Sequence, residues 1–539
     1  MKKLNKITSF IFDRISKNKS LVFFVIFLTF IFVISVMISN RVLISIPKKG
    51  GEINEIILNS KPRFINPVLS ISLIDKDLVS LIYSPLLKIG ADKKLKENIA
   101  SYKLLKDKKT YRLKLKKNIF FQDGEKMTID DVIFTIKKIQ DPLIKSPHYS
   151  AWIGVETKKI DDYTLEIKLK NEYYQFINNL VLYILPKHLW KDIPAEEFPF
   201  SKLNIQPVGS GPFQVKEVVM NEKGEIEKYI LNSFNKYWPK EAYLDKITFH
   251  FFENREKYEK SILTDVVDKT SLSFFSDSKD IIEKMFPGER YKVLKTGKEI
   301  DLFLKANSKN KNLSNKDFRK LIGSIIKNSF QNNKINVKKS DFDKLENYEY
   351  SKSGNLLLNK KEVALTLSFF NDNLFNNIAN NIKNILKRYG IKVILREINN
   401  RNNLENIIRN RDFEIIIFGY DFGIIKDLFY FFHSSQADDP GVNVAGIKNK
   451  DIDKILLELR KNLSYKERDE KIEKINEKIE AENLFISLYS LQEFYKLPQG
   501  LKNFENKIIN SRENRFDGIE NWYLKEEKVL PFLIKNLQN

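Results

Sequence analysis

At 539 residues the chain exceeds one ordinary hydrophobic core and predicts two or more lobes. Its 42% hydrophobic and 12% aromatic content is ample for burial, and its net charge of +22 comes from lysines spread along the sequence, a bias of composition that argues against a nucleic-acid partner. The absence of cysteine excludes a disulfide framework, a thiolate metal site and a cysteine nucleophile.

Six basic residues (Lys2, Lys3, Lys6, Arg14, Lys17 and Lys19) fall within residues 1–20, and Leu21 to Ile38 is apolar apart from Thr29 and Ser35. Extended through Ile46, that run can cross a hydrocarbon core at about 1.5 Å per residue. The basic flank places the N-terminus in the cytoplasm and the rest of the chain outside. The expectation is an uncleaved single-pass plasma-membrane anchor over 21–46. A cleaved signal peptide is the competing reading, but its apolar region would be shorter and end at a small-residue site, whereas this run ends in Ser39-Asn40-Arg41. Lys48-Lys49-Gly50-Gly51 reads as a polar junction, so the folded body is expected to begin at 51.

Residues 51 to about 200 read as mixed α+β. Tyr111, Leu113 and Leu115 alternate with Arg112, Lys114 and Lys116, the period of a half-buried strand. Asp123-Gly124 supplies a turn, and Thr128 with Asp131 three residues on begins a helix whose Val132, Ile133, Ile136 and Ile139 share a face. Tyr163 to Lys170 repeats the alternating pattern after an Asp161-Asp162 turn. The Lys- and Asn-rich stretch 307–359 reads as loops with a short helix near Phe318 to Ile326. From Leu365 to Tyr420 the rhythm is strand, helix, strand, helix, strand, with Gly390 closing the first helix, which is the pattern of a parallel sheet with right-handed crossovers. Ligands in such sheets bind beyond the carboxyl ends of the strands. Asp451 to Glu482 predicts two surface helices parted near Ser464, with Ile452, Ile455, Leu456, Leu459, Ile472, Ile475 and Ile479 inward.

No catalytic constellation is legible. His148, His188, His250 and His433 lie far apart and none belongs to an HExxH pattern; Walker, Rossmann and G-x-S-x-G motifs are missing. Asp130-Asp131, Asp161-Asp162 and Asp438-Asp439 are adjacent pairs suited to caps and turns, not to general acid and base on facing positions. The reading is a non-enzyme without metal or cofactor. For a binding protein, a concave aromatic pocket with a few polar groups is expected.

The phrase from Tyr111 to Ile139, with its DG turn and D-D-V-x-F helix, resembles the signature of the extracellular solute-binding proteins of family 5, the peptide, dipeptide and nickel receptors of ABC importers. Pro62 to Pro67, Leu81 to Leu87 (LIYSPLL), Val208 to Phe213 (VGSGPF), Tyr237-Trp238 and Tyr243 to Phe249 extend the similarity, and Phe303 to Asn307 with Phe318-Arg319 is a weaker echo. The resemblance implies a two-lobe periplasmic-binding-protein-like α/β fold. Lobe I would hold 51–298 with 91–201 as an inserted subdomain, lobe II 299–499, and 500–539 would return to lobe I. The protein would act as a monomer that closes on a peptide or other small solute and presents it to a permease and its ATPase.

By the same resemblance, Phe418 to Gly423 matches the family's G-W-x-x-D segment, in which the glycine and aromatic line the cleft and the aspartate pairs with a peptide's α-amino group. Gly419 and Tyr420 occupy the first two positions, and Gly423 stands at the aspartate position. The expected ligand-binding residues are therefore Gly419, Tyr420, Asp421, Phe422 and Gly423, with Tyr149 and Trp152 from the inserted subdomain as further candidates. Asp427 and Phe431 resemble the acidic start and the aromatic of the family's continuation. Because a buried ammonium needs a carboxylate to offset desolvation, the departure at Gly423 leaves a second reading: an envelope interaction scaffold that keeps the fold without transport. A metal-chelate receptor and a hydrolase are disfavoured.

Overall fold

The computed structural model describes residues 19–529 apart from 59, 91–93, 254–255, 259, 261–271, 277–282, 284–286, 289–290, 306–309, 332–336, 400, 422–426, 439–440, 442, 462, 464 and 505–511. The basic segment before residue 19, Phe422, Gly423 and the last ten residues of the expected return segment lie outside the described residues.

Local sequence patterns translate directly into burial. In the strand Thr110–Leu115, Tyr111, Leu113 and Leu115 point into the core while Arg112 and Lys114 are exposed. It is an inner strand of a four-stranded antiparallel sheet, beside Ala100–Leu104 and Thr164–Lys168, with Glu156–Asp161 on the edge. The helix Ile129–Gln140 starts where Thr128 N–H donates to Asp131 Oδ2 (2.9 Å), and Val132, Ile136 and Ile139 are fully buried. Its Asp131 also accepts from Lys187 N–H (2.9 Å), so one carboxylate fixes both the helix start and the chain that packs beside it.

A ten-stranded sheet runs through the whole molecule. Its strands in chain order are β1 Glu52–Leu58, β2 Phe213–Met220, β3 Ile226–Ser233, β4 Lys246–Phe252, β5 Leu272–Ser276, β6 Tyr291–Leu304, β7 Ala364–Phe370, β8 Lys392–Ile398, β9 Ile415–Asp421 and β10 Phe485–Lys496. Across the sheet the order is β8-β7-β9-β6-β10-β5-β1-β4-β3-β2. β7 is parallel to both β8 and β9, with the helices Asn373–Arg388 and Arg401–Arg409 as crossovers, as the sequence predicts. Gly390 ends the first crossover at φ +74°, and a Cβ there would stand 2.4 Å from Gly354 O, so only glycine fits.

Two separate hydrophobic cores flank the middle of this sheet. One gathers Ile53, Leu78, Leu113, Val132, Trp190, Phe249 and, from the end of the chain, Tyr495, Phe516 and Trp522. The other gathers Leu302, Ile322, Leu367, Ile382, Ile416, Leu456 and Ile486. The strands β6 and β10 extend from the second core toward the first. At their far ends Tyr291 still faces Lys496, and Lys496 also pairs with Phe274 of β5.

In the first core the most specific sequence phrases interlock. Gln122 Nε2–H donates to Phe213 O (2.7 Å) and Ile82 O (3.1 Å), while its Oε1 accepts from Gly209 N–H (2.9 Å). Gly211 N–H donates to Ile82 O (2.7 Å), and a Cβ at Gly209 would lie 2.0 Å from that carbonyl oxygen. The QDG, GSGPF and LIYSPLL segments are thus one structural joint. Nearby, Arg515 is fully buried between Asp77 (Nη1 to Oδ1, 2.6 Å; Nη2 to Oδ2, 2.9 Å) and Glu55 (3.1 Å), and Glu55 also accepts from Ser273 (2.6 Å) and Tyr495 hydroxyls. Burial opposes the guanidinium's charge, yet Asp77 and Glu55 hold its pKa above the ordinary value.

Three sequence expectations need correction. The helix near Phe318 runs from Lys316 to Gln331, because Phe318, Ile322, Ile325 and Ile326 form a buried stripe beneath a Lys- and Asn-rich outer face. The same 307–359 stretch also builds a three-stranded sheet from Tyr348–Tyr350, Leu356–Leu358 and Lys361–Glu362. In the helix pair Lys450–Leu459 and Tyr465–Glu482, Ile472 stays 36% exposed while Ile475 and Ile479 are buried. At the N-terminus, Lys19–Val42 is a 24-residue helix whose apolar side chains from Phe23 to Val33 are exposed. Counted over described residues, no helix is long and apolar enough to cross a membrane.

Candidate binding cleft at the joint between the cores

The carboxyl end of β9 lies where the two cores meet. Its Gly419, Tyr420 and Asp421 pair with Ile300, Glu299 and Lys298 of β6. At that level β6 and β10 slip register: Glu299 faces Ser490 while Lys295 faces Gln492, so β6 carries extra residues against β10. Such a bulge bends and twists the ribbon, and here it does so at the crossing from one core to the other. Gly419 is exposed, whereas Phe418 beside it packs edge-on against Phe303, their centroids 6.4 Å apart. Of Tyr420 and Asp421 the backbone alone is described.

The two candidates from the inserted subdomain part company. Tyr149 begins the one-turn helix Tyr149–Trp152 and is half-buried. Trp152 is 2% exposed and stacks edge-on against Phe176 at 5.1 Å, in turn beside Tyr111, which leaves it no ring face for a ligand. Asp427 caps the helix Leu428–Phe432 by accepting from Phe429 N–H (3.1 Å).

Sequence reasoning missed a second concavity at the same end of the parallel strands. Arg396, Glu397, Ile398, Asn399, Asn403, Asn406 and Ile407 line a cavity of about 300 Å³ beyond the carboxyl end of β8. Asn403 and Asn406 lie three apart on the crossover helix, a spacing that was visible but carried no motif. At the opposite end of the strands, a cavity of about 410 Å³ is lined by Lys305, Arg409, Arg411, Asp438 and Lys448 among others. It lies roughly 20 Å from Asp421, the length of β9.

Three of the four histidines make structural contacts. His188 Nε2 is 2.6 Å from Asp123, His433 stacks on Phe429 at 4.1 Å, and His250 Nε2–H donates to Asn54 Oδ1 (2.8 Å). Burial, with Lys228 and Lys246 adding to it, pushes His250 down to about 4. Among the described residues no group of three or more such side chains is placed to hold a metal ion.

Two cores joined by a bent ribbon, with a strand end opening at the joint, define a two-lobed binding-protein fold. Residues 94–336 match the bacterial extracellular solute-binding proteins, family 5 Middle. It is similar to the oligopeptide-binding protein AppA of Bacillus subtilis (strain 168), 24% identical over 524 residues, which covers 89% of this chain and 92% of that protein. It is also similar to the nickel-binding protein NikA of Staphylococcus aureus, 25% identical over 396 residues and covering 67% of this chain and 73% of that one. The solved structure of B. subtilis AppA in complex with a nonapeptide shares the fold, with a TM-score of 0.69 at 22% identity, over 89% of this chain and all of that chain.

Proposed function

We propose that the chain is the solute-binding subunit of an ABC importer and takes peptides or oligopeptide-like solutes into a cleft between its lobes. The observation that carries this reading is the position of Gly419 to Asp421. A carboxyl strand end with exposed glycine backbone stands at the bulged crossing between two independent cores, where lobe closure would bury a ligand. The likeness to an oligopeptide-binding relative along 92% of that protein's length supports the same choice of cargo. Phe422, Gly423 and Tyr149 complete the assigned site.

The division into lobe I (51–298 and 500–539) and lobe II (299–499) is supported by the two cores: buried members of the second run from Ile300 to Leu488, and those of the first lie before 298 and again from Tyr495 onward, a few residues ahead of the expected return. Membrane anchoring through residues 21–46 is supported by the apolar run Leu21 to Ile38 with its basic flank and by the exposed apolar side chains from Phe23 to Val33. The body would then face the extracellular side and hand its solute to the permease.

Thermal unfolding of the full chain against pooled di- to octapeptides tests the reading. A ligand that binds the folded state alone raises the midpoint by mass action. A reproducible rise with some pools is expected; no rise with any pool, for folded protein free of co-purified ligand, contradicts it. The glycine at position 423, where the family has a carboxylate, favours a second reading in that event, an envelope scaffold that retains the fold.

A further inference from the structure

We propose that Tyr173, Asp427 and Arg460 form a latch that holds the two lobes together through the protein's own contacts, without a bound solute. This rests on the receptor reading only in that the cleft it would control is the one assigned above. Tyr173 leads into the turn Tyr174–Leu180 and packs on the first core, whereas Phe429 and Leu428 pack on the second. Across this boundary the Tyr173 hydroxyl donates to Asp427 Oδ2 (2.8 Å), a contact between residues 254 apart in sequence. Arg460 Nε stands 3.3 Å from the same carboxylate oxygen. Its guanidinium lies 4.3 Å from the ring centroids of both Tyr173 and Phe429, so one cation is held between an aromatic ring of each lobe.

The geometry continues along the boundary. Tyr174 N–H donates to Arg460 O (2.8 Å), and the Arg468 guanidinium covers the Tyr174 ring at 3.8 Å. Arg468 is itself fixed, because it donates to Leu459 O (2.9 Å) and Lys461 O (3.1 Å) at the end of the helix Lys450–Leu459. The side chains of Asp427 and Arg460 are only 11% and 24% exposed. Removed from water, a charge-assisted pair between a carboxylate, a phenol and a stacked guanidinium is stronger than an exposed surface ion pair. Asp427 also caps its own helix, a contact made wholly within the second lobe that fixes its orientation. Separation of the lobes at this boundary would strip Tyr173 and Arg460 of their shared partner. A solute-binding cleft controlled in this way would be closed for part of the time before any ligand arrives.

Pulsed electron–electron distance measurement on the ligand-free full chain tests this. The sequence has no cysteine, so spin labels at Lys158→Cys and Glu473→Cys, both exposed and on opposite sides of the boundary, report it without background. The parent should give a dominant short distance. Tyr173→Phe, which deletes one hydroxyl, should add a longer-distance population, and Tyr173→Phe with Arg460→Met should make it dominant. Distributions that superimpose on the parent in both variants overturn the latch; if the double variant does not fold, superposition in Tyr173→Phe alone does so. Because no solute is added, the latch can fail while peptide binding stands, and peptide binding can fail while the latch stands.

Discussion

Individual residues here divide between holding the fold and facing the cleft, and the buried charges belong to the first group. Arg515 joins the end of the chain to Asp77 and Glu55 with all three side chains out of water. Removal of one partner from such a cluster leaves an uncompensated buried charge, at about 3–5 kcal/mol. Arg515→Ala should lower unfolding free energy in urea by that order, and a loss under about 1 kcal/mol would show that the cluster is not formed. His250 has a different signature. Its folded pKa of about 4 lies below the unfolded value near 6.5, so the unfolded chain binds a proton first. Its contribution is present above pH 6.5 and is lost as pH falls toward 4, on the order of 2–3 kcal/mol. His250→Gln should flatten that part of the stability profile, and an imidazole that titrates near 6.5 by NMR would contradict the assignment.

At the scale of elements, the QDG, GSGPF and LIYSPLL phrases act as one joint. Gly209→Ala would push a Cβ into Ile82 O, a backbone atom that cannot swing aside, and should cost about 3 kcal/mol or more in chemical denaturation. Gly323→Ala is the opposite case. Within the helix Lys316–Gln331 its Cβ would meet the Ile486 side chain at ordinary van der Waals distances (3.5 and 3.7 Å), so the gain in helix propensity should stabilise by about 0.5–1 kcal/mol. Elements whose burial repeats locally were legible in the sequence, including the strand Thr110–Leu115, the helix after Thr128 and the β7, β8, β9 crossovers. The full length of Lys316–Gln331 was not, because lysine and asparagine on its outer face mask a narrow apolar stripe. Nor was the pairing of β6 with β10, since their registers join residues nearly 200 positions apart and no local pattern encodes the slip at Glu299. Trp152 shows the limit at a single position: composition marks an aromatic, but only the packing beside Phe176 decides that it belongs to the core.

For the whole molecule, the bent ribbon formed by β6 and β10 is the natural place for a hinge. Strands continuous between two cores keep the lobes in register, and an irregular ladder between Lys295 and Glu299 concentrates bending there. The Tyr173–Asp427–Arg460 contact lies elsewhere, between loops and helix ends, so hinge and latch are separate parts of one motion. The overall two-lobe arrangement was legible through family phrases. The latch was not, since its partners lie 254 residues apart and none belongs to a specific motif.

Hydrogen–deuterium exchange of the full chain, with and without a peptide pool that raises its melting midpoint, locates the solute on the protein. A solute held in the cleft brings new protection concentrated at Lys298–Ile300 and Gly419–Asp421, where the strand end meets the bulged ribbon. Protection confined to other surfaces, with these two segments unchanged, would contradict a solute cleft at this joint.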